Sequence, residues 1–108
     1  MNESITYKNL SLFREMLPVF TVLNDENRQE IIFFLAEKGD NGMSVSAITD
    51  KMNLSRPAVS HHLKLLKQSG IVSIRKEGVT DFYILTLKKT VDQMKELIHM
   101  LEANCQLK

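Results

Sequence analysis

Residues 54–66 read LSRPAVSHHLKLL, and this segment determines how the rest of the chain is interpreted. Ser55 is a favourable N-cap, and Pro57 lies in the first turn, where its missing N–H costs little. A helix is therefore predicted to begin near Ser55, to run to about Ser69 and to end at Gly70. Its apolar residues recur at spacings of four and three, which makes one buried stripe: Val59, Leu63 and Leu66.

A second, shorter helix is predicted immediately before this one, over residues 46–52, with Ala47, Ile48 and Met52 facing inward. Residues 53–55 then form a tight turn. A short helix, a three-residue turn and a second capped helix make the layout of a helix-turn-helix.

The face of the second helix opposite the stripe carries side chains that suit the major groove of DNA. An arginine can fork onto guanine, Ser and His can donate or accept at base edges, and a proline can contact a thymine methyl. The Ser55 cap and the first backbone amides can hold a phosphate. The predicted DNA contacts on this helix are Ser55, Arg56, Pro57, Ser60, His61, His62 and Lys64. The alternative is a solvated polar face on a structural helix.

Charge along the chain favours the DNA interpretation. The net charge is only +1, but residues 51–76 hold six basic side chains and no acidic one. Residues 1–50 hold four basic and eight acidic side chains, and residues 77–108 hold four and five. Phosphate backbones attract such a local basic patch whatever the balance of the whole chain.

Two strands are predicted after the helix-turn-helix, over residues 71–75 and 81–85, joined through Glu77 and Gly78. Arg75 and Lys76 at the tip of this hairpin could lie along the DNA backbone, as the cations of a wing do. Glu77 and Asp81 oppose that role, and a hairpin that only completes the core stays open as the alternative.

Helices are also predicted at both ends of the chain, and they carry the predicted dimer interface. The first has a kink or break at Pro18, and the last covers residues 89–103. Another helix, capped by Asn24 or Asp25, is predicted to end at Gly39 and to bury Ile31, Ile32, Phe34 and Leu35. Apolar stripes of the terminal helices predict a homodimer, although packing within one protomer is the alternative: Leu10, Phe13, Leu17, Val91, Met94, Ile98 and Leu101.

These motifs together resemble the ArsR/SmtB family of winged helix-turn-helix repressors over about residues 23–87. Residues 23–28, LNDENR, are similar to the family's Leu-x-Asp-x-x-Arg entry to its second helix, and residues 54–66 followed by SGIV are close to its recognition helix. The resemblance implies a mainly α fold, with four helices, a β-hairpin wing and a fifth helix. It also implies a twofold dimer on successive major grooves of an inverted-repeat operator, and repression of a nearby operon that an effector relieves.

The chain departs from the family's metal sensors. These often carry Cys-x-Cys where this sequence has Ser44-Val45-Ser46, and hydroxyls are poor ligands for soft or borderline metals. His99 and Cys105 on the last helix lie six residues apart, so they do not share one face, although a site across the dimer stays open. Adjacent His61 and His62 point about 100° apart and are not expected to chelate together. We therefore predict no metal and no cofactor, and the sequence does not identify an effector.

Several classes of protein are disfavoured. We find no phosphate-binding glycine loop, nucleophile arrangement or metal-hydrolase spacing, and so predict no enzyme. No apolar stretch approaches the length of a membrane span, residues 1–8 lack a signal-peptide core, and one cysteine suits a reducing cytoplasm. The prediction is a single cytoplasmic domain, residues 1–108, that regulates transcription from duplex DNA. A winged helix that binds another protein, and an activator or a regulator without ligand, are the alternatives.

Overall fold

The computed structural model describes residues 3–104, with side chains described for residues 9–103. It is mainly helical with one antiparallel hairpin, as predicted. The elements are α1 (Glu3–Glu15), α2 (Leu17–Leu23), α3 (Glu26–Lys38), a 3-10 turn (Gly39–Asn41), α4 (Val45–Lys51), α5 (Arg56–Gln68), β1 (Val72–Glu77), β2 (Thr80–Leu85) and α6 (Lys88–Asn104). Among the helices of this part of the chain, none combines the length and apolarity that crossing a bilayer requires.

The predicted first helix is two helices in the structure. Pro18 lies in the first turn of α2, where it has no N–H to donate to a carbonyl of the preceding turn. The chain therefore turns at Met16, whose own N–H still bonds back to the Leu12 carbonyl at 3.1 Å. The expected kink or break at Pro18 is a break, and residues 3–104 form six α-helices rather than the five predicted.

The helix-turn-helix forms where the caps predict it. Ser55 accepts a hydrogen bond from the Ala58 N–H at 3.3 Å, and α4 begins at Val45 because Ser44 accepts from the Ala47 N–H at 3.1 Å. The predicted stripe on α5 is fully buried. It belongs to the main core, with these other buried members: Val19, Val22, Ile31, Leu35, Met43, Ile48, Ile71 and Val72.

The hairpin differs from the prediction at its turn. β1 and β2 pair from Val72 opposite Leu85 to Glu77 opposite Thr80, so the turn lies at Gly78 and Val79 rather than at Glu77 and Gly78. Gly78 has a φ of +60°, which a glycine adopts without strain. The strands therefore run one or two residues further toward the tip than predicted.

Backbone hydrogen bonds attach the hairpin to the segment before α4. Met43 and Tyr83 exchange two of them, at 3.0 and 2.8 Å. Gly42 permits this approach, since a Cβ there would lie 2.7 Å from the Tyr83 carbonyl oxygen and the φ of Gly42 is +67°. The wing is thus held against the helix-turn-helix by main-chain contacts.

The end helices pack on each other through a second, smaller apolar cluster. Leu12, Met16 and Leu97 are its buried members, with Phe20 and Met100 against them. The residues predicted for the dimer interface lie outside this cluster and are exposed: Leu10, Phe13, Leu17, Val91, Met94, Ile98 and Leu101. The internal contact between α1 and α6 therefore does not cover those stripes.

Candidate nucleic-acid interface

The polar face of α5 is turned to solvent. Burial of Val59, Leu63 and Leu66 orients the helix, because residues three and four apart share one face. The predicted contacts on the opposite face are exposed, as is Lys67: Ser55, Arg56, Pro57, Ser60, His61 and Lys64. An unbroken row of hydrogen-bonding and cationic groups thus follows about three turns of this helix.

Arg56 does not simply extend outward from that row. Its Nη1 donates to the Ser46 hydroxyl at 2.8 Å, which carries the guanidinium back to the preceding helix. There it lines a cleft of about 360 Å³ between the start of α4, the start of α5 and the hairpin, together with Ser44, Val45, Val79, Thr80, Asp81 and Tyr83. The sequence grouped Arg56 with Ser60 and His61, whereas the structure places its charge nearer the wing.

His62 is half-buried beside the core and has a partner that the sequence analysis missed. Its Nδ1 lies 3.2 Å from Nη1 of Arg28 on α3. In the structure His62 is a hydrogen-bonded histidine at the edge of the core. Phosphate contact by this side chain stays a prediction. Arg28 is the last residue of the LNDENR motif, and its place in that motif is the feature of the sequence that could have indicated its role.

Arg28 is the centre of a hydrogen-bonded cluster at the start of α3. Its Nε donates to the Val22 carbonyl at 2.8 Å and its Nη2 to the Thr21 carbonyl at 3.4 Å. Asp25 caps the helix by accepting from the Arg28 backbone N–H at 3.0 Å. That hydrogen bond is the main reason why the pKa of Asp25 lies below its ordinary value, and the Arg28 charge lowers it further.

The two cations predicted at the wing tip lie on opposite faces of the hairpin, since successive side chains of a strand alternate. Arg75 has partners within the fold, and its contact with DNA stays a prediction. Its guanidinium donates to the carbonyls of Asp40 and Asn41 at 2.6 and 3.0 Å and stacks 5.2 Å from the Phe82 ring centroid. It anchors the 3-10 turn and lies in the third residue pair from the tip of the hairpin.

Lys76 is exposed and lies directly opposite Asp81 in the register. It is the wing cation on the side of the Arg56 cleft, because Asp81 lines that cleft. Burial raises the pKa of the Tyr83 hydroxyl, and the Asp81 charge raises it further. Lys76 is thus exposed as a whole residue, whereas the Arg75 side chain, although 41% exposed, donates to two carbonyls and lies 3.7 Å from a Glu77 carboxylate oxygen.

Both hydroxyls at the place of the metal sensors' cysteines are used within the fold. Ser44 caps α4, and Ser46 accepts from Arg56. Within the described residues 3–104, no cluster of three or more His, Cys, Asp or Glu side chains could hold a metal ion. Cys105 lies outside the described residues.

Comparisons with known proteins converge on one class. The family model for bacterial regulatory proteins of the arsR family matches residues 25–73, from the N-cap of α3 into β1. A helix-turn-helix transcriptional regulator of Methanocaldococcus jannaschii is 36% identical over 90 residues, a match that covers 83% of this chain and 94% of that protein. The transcriptional repressor SdpR of Bacillus subtilis is 30% identical over 83 residues, covering 77% and 89%.

A third similar protein has a solved structure. The transcriptional activator HlyU of Vibrio cholerae is 39% identical over 77 residues, covering 71% of this chain and 68% of that protein. The structure of HlyU matches this fold with a TM-score of 0.62 at 34% identity, over 82% of this chain and 91% of that one. Sequence and structure therefore agree on the class of protein.

Proposed function

The chain belongs to the arsR family of bacterial regulatory proteins and is a winged helix-turn-helix, DNA-binding transcriptional regulator, and we propose that it acts as a homodimeric repressor of a nearby operon. Two copies occupy an inverted-repeat operator, with one α5 in each of two successive major grooves. Their half-sites are centred about one helical turn of DNA, or a multiple of it, apart. Bound there, the dimer blocks access of the polymerase to the promoter.

The observation that carries DNA recognition is the exposed polar face of α5 above a fully buried stripe. Ser60, His61 and Lys64 project from a helix whose other side is locked into the core. Rigid placement matters, because base-edge hydrogen bonds require side chains held at defined positions in the groove. Residues 51–76, which include six basic side chains and no Asp or Glu, supply electrostatic attraction to the DNA phosphates.

The exposed apolar side chains of α1, α2 and α6 support the dimer. Leu17 is 55% exposed and Ile98 is 51% exposed, on helices that already pack together through Leu12, Met16 and Leu97. Exposed apolar side chains that recur along neighbouring helices are typical of an interaction site. A second copy of the same face would cover it and would set the distance between the two recognition helices.

The effector is proposed to be something other than a metal ion held at the start of α4, because the hydroxyls of Ser44 and Ser46 already serve the fold. A signal at the dimer helices would change the spacing of the two α5 helices. The repressor SdpR and the activator HlyU are both similar to this chain. The sign of regulation depends on where the operator lies relative to the promoter, so activation is an outcome of the test.

The experiment is fluorescence anisotropy with duplexes from upstream of the protein's own gene, beside random duplexes of equal length, over a salt series. A Ser60→Ala/His61→Ala variant removes two exposed groups of α5, and Lys95→Ala on α6 is the matched control. Preference for an upstream duplex that the double variant loses and the control keeps is expected. Equal, weak binding to every duplex would reject the proposal and favour a protein-binding winged helix.

A further inference from the structure

The cleft between α5 and the wing indicates a role for Arg56 other than reading a guanine. Resting on the DNA-binding function proposed above, we propose that Arg56 and Ser46 form a binding site for a DNA phosphate. In this site Arg56 supplies the charge, and Ser46 is the positioning residue that directs the guanidinium into the cleft. Sequence preference then comes from the residues further along α5.

The direction of the Arg56 side chain is the first argument. Arg56 is the first residue of α5, yet its Nη1 donates to a hydroxyl ten residues earlier, on α4, at 2.8 Å. An arginine that forks onto guanine must extend from its helix into the groove with two parallel N–H groups free. The bond to Ser46 draws the guanidinium toward the neighbouring helix and the hairpin instead.

The composition of the cleft is the second argument. Besides Arg56, it is lined by four hydroxyl-bearing residues and by three others: Ser44, Ser46, Thr80 and Tyr83, with Val45, Val79 and Asp81. Arginine and hydroxyl side chains supply many of the protein contacts to phosphate oxygens. A guanidinium has five N–H donors, so one bond to Ser46 leaves donors for a phosphate. The cleft includes the wing residues Val79 and Thr80, and the sugar-phosphate backbone beside an occupied groove is expected to pass a wing.

The charges around the cleft allow an anion to bind there, although Asp81 is one of the lining residues. This carboxylate lines the cleft, but Lys76 lies directly opposite it in the strand register. Residues directly opposite each other on a hairpin have Cβ atoms about 5 Å apart, close enough for opposite charges to offset. The lining itself therefore holds one cation, Arg56, and one carboxylate, Asp81, and Lys76 adds a second positive charge on the same face of the hairpin.

Salt dependence tests the phosphate contact without an operator sequence. Each phosphate contact contributes about 0.9 to the slope of log affinity against log salt. With a random-sequence duplex, Arg56→Ala should lower that slope by about 0.9 per bound chain, whereas Arg56→Lys should keep it. Between 50 and 200 mM salt this corresponds to about a three- to fourfold smaller loss of affinity per contact. An unchanged slope for Arg56→Ala overturns the proposal.

Selection from a pool of random duplexes separates a phosphate contact from a base contact. Wild-type protein and Arg56→Ala should select the same motif, the variant with about tenfold weaker affinity. If the variant loses preference at one base pair, Arg56 reads a base and the inference is wrong. If wild-type protein selects no motif while the slope still changes, the phosphate contact survives and the sequence-specific function fails.

Ser46 is tested by a double-mutant cycle. Ser46→Ala should weaken binding about threefold in the wild-type background and not at all in the Arg56→Ala background, because its effect passes through Arg56. Ser46 is exposed on α4, and alanine favours helix, so the variant is expected to fold. An equal loss in both backgrounds would assign Ser46 a merely structural role and overturn its part of the proposal.

Discussion

The guanidinium of Arg28 donates to Nδ1 of His62 at 3.2 Å. This hydrogen bond joins α3 to α5, and the two residues lie 34 positions apart in the sequence. A guanidinium has no acceptor, so Nδ1 must be unprotonated in this arrangement. The same arginine donates to the carbonyls of Val22 and Thr21 at the end of α2. The Arg28 side chain therefore connects α2, α3 and α5. It lies between the end helices and α5, the helix proposed to face the DNA.

Arg28→Ala is expected to lower the free energy of unfolding by about 1–3 kcal/mol, because it leaves the acceptors of two half-buried hydrogen bonds, the Val22 carbonyl and His62 Nδ1, without this donor. Arg28→Lys should recover little, since an ammonium cannot reach three acceptors in fork geometry. Urea denaturation followed by circular dichroism measures the change. Arg14→Ala removes an exposed cation from α1 and serves as the control. A loss no larger than that of the control would show that the cluster contributes nothing to stability.

His62→Ala and Arg28→Ala are expected to be non-additive. Each removes one partner of the same hydrogen bond, so the cycle should return a coupling energy of about 0.5–2 kcal/mol. His62→Asn offers a side-chain oxygen that can accept from Arg28 and should retain part of the stability. Equilibrium unfolding of the two single variants and the double variant provides the test. Simple additivity would mean that the 3.2 Å contact carries no energy of its own.

Stability should depend on the charge of Asp25 at moderate acidity. Its pKa is lowered in the folded chain, so the ionised group stabilises the fold above its ordinary pKa of 3.8. That contribution is lost as pH falls below 3.8 and through the lower folded-state pKa. Asp25→Asn keeps an N-cap but has no charge, so the difference in unfolding free energy between wild type and this variant should be largest near pH 7 and should shrink below about pH 3.8.

Asp25→Ala removes both the cap and its charge, so it should cost about 0.5–2 kcal/mol near pH 7 and less below pH 3.8, where the charge contribution is lost. Urea titrations at closely spaced pH values compare the three proteins. A gap between wild type and Asp25→Asn that stays constant down to pH 2 would contradict the assignment of the stabilisation to the Asp25 charge.

The apolar surface of α1, α2 and α6 predicts the response of the proposed dimer to a charge. Ile98→Glu should convert a dimer to a monomer, because the interface would have to bury an unpaired carboxylate. Phe33→Glu is the matched control, since Phe33 is 71% exposed on α3. Sedimentation velocity at micromolar concentration reports the oligomeric state, and circular dichroism shows that each variant folds. A wild-type monomer under these conditions would refute the dimer.

Two glycines of the same segment should respond differently to alanine. Both Gly39 and Gly42 have positive φ, so each substitution strains the backbone. A Cβ on Gly39 meets nothing within 4 Å, whereas one on Gly42 lies 2.7 Å from the Tyr83 carbonyl oxygen. Gly39→Ala should therefore cost about 1 kcal/mol, and Gly42→Ala should cost roughly 1–3 kcal/mol more through the displaced wing. Thermal unfolding of both variants makes the comparison. Equal losses would show that the close approach at Gly42 is unimportant.

Local patterns in the chain were enough to predict the helix-turn-helix. The cap at Ser55, the cap predicted at Asn24 or Asp25 and found at Asp25, the proline in the first turn of α5 and its buried stripe all act over three or four residues. Capping hydrogen bonds and apolar periodicity at that range depend only on residues within the same segment, so the sequence alone reveals them. Even the break at Pro18 followed from one missing N–H. The fold class and the solvent-facing side of α5 were therefore accessible without coordinates.

Only the tertiary structure determined where the charged ends of the long side chains lie. Arg75, predicted as a wing-tip cation, bonds to the carbonyls of Asp40 and Asn41, more than thirty residues away. Arg56 is drawn toward Ser46 on another helix, and Arg28 meets His62. An arginine has several rotatable bonds, and its charge comes to rest where distant acceptors converge. Sequence spacing determines the face from which such a side chain starts, whereas packing of remote segments determines where it ends.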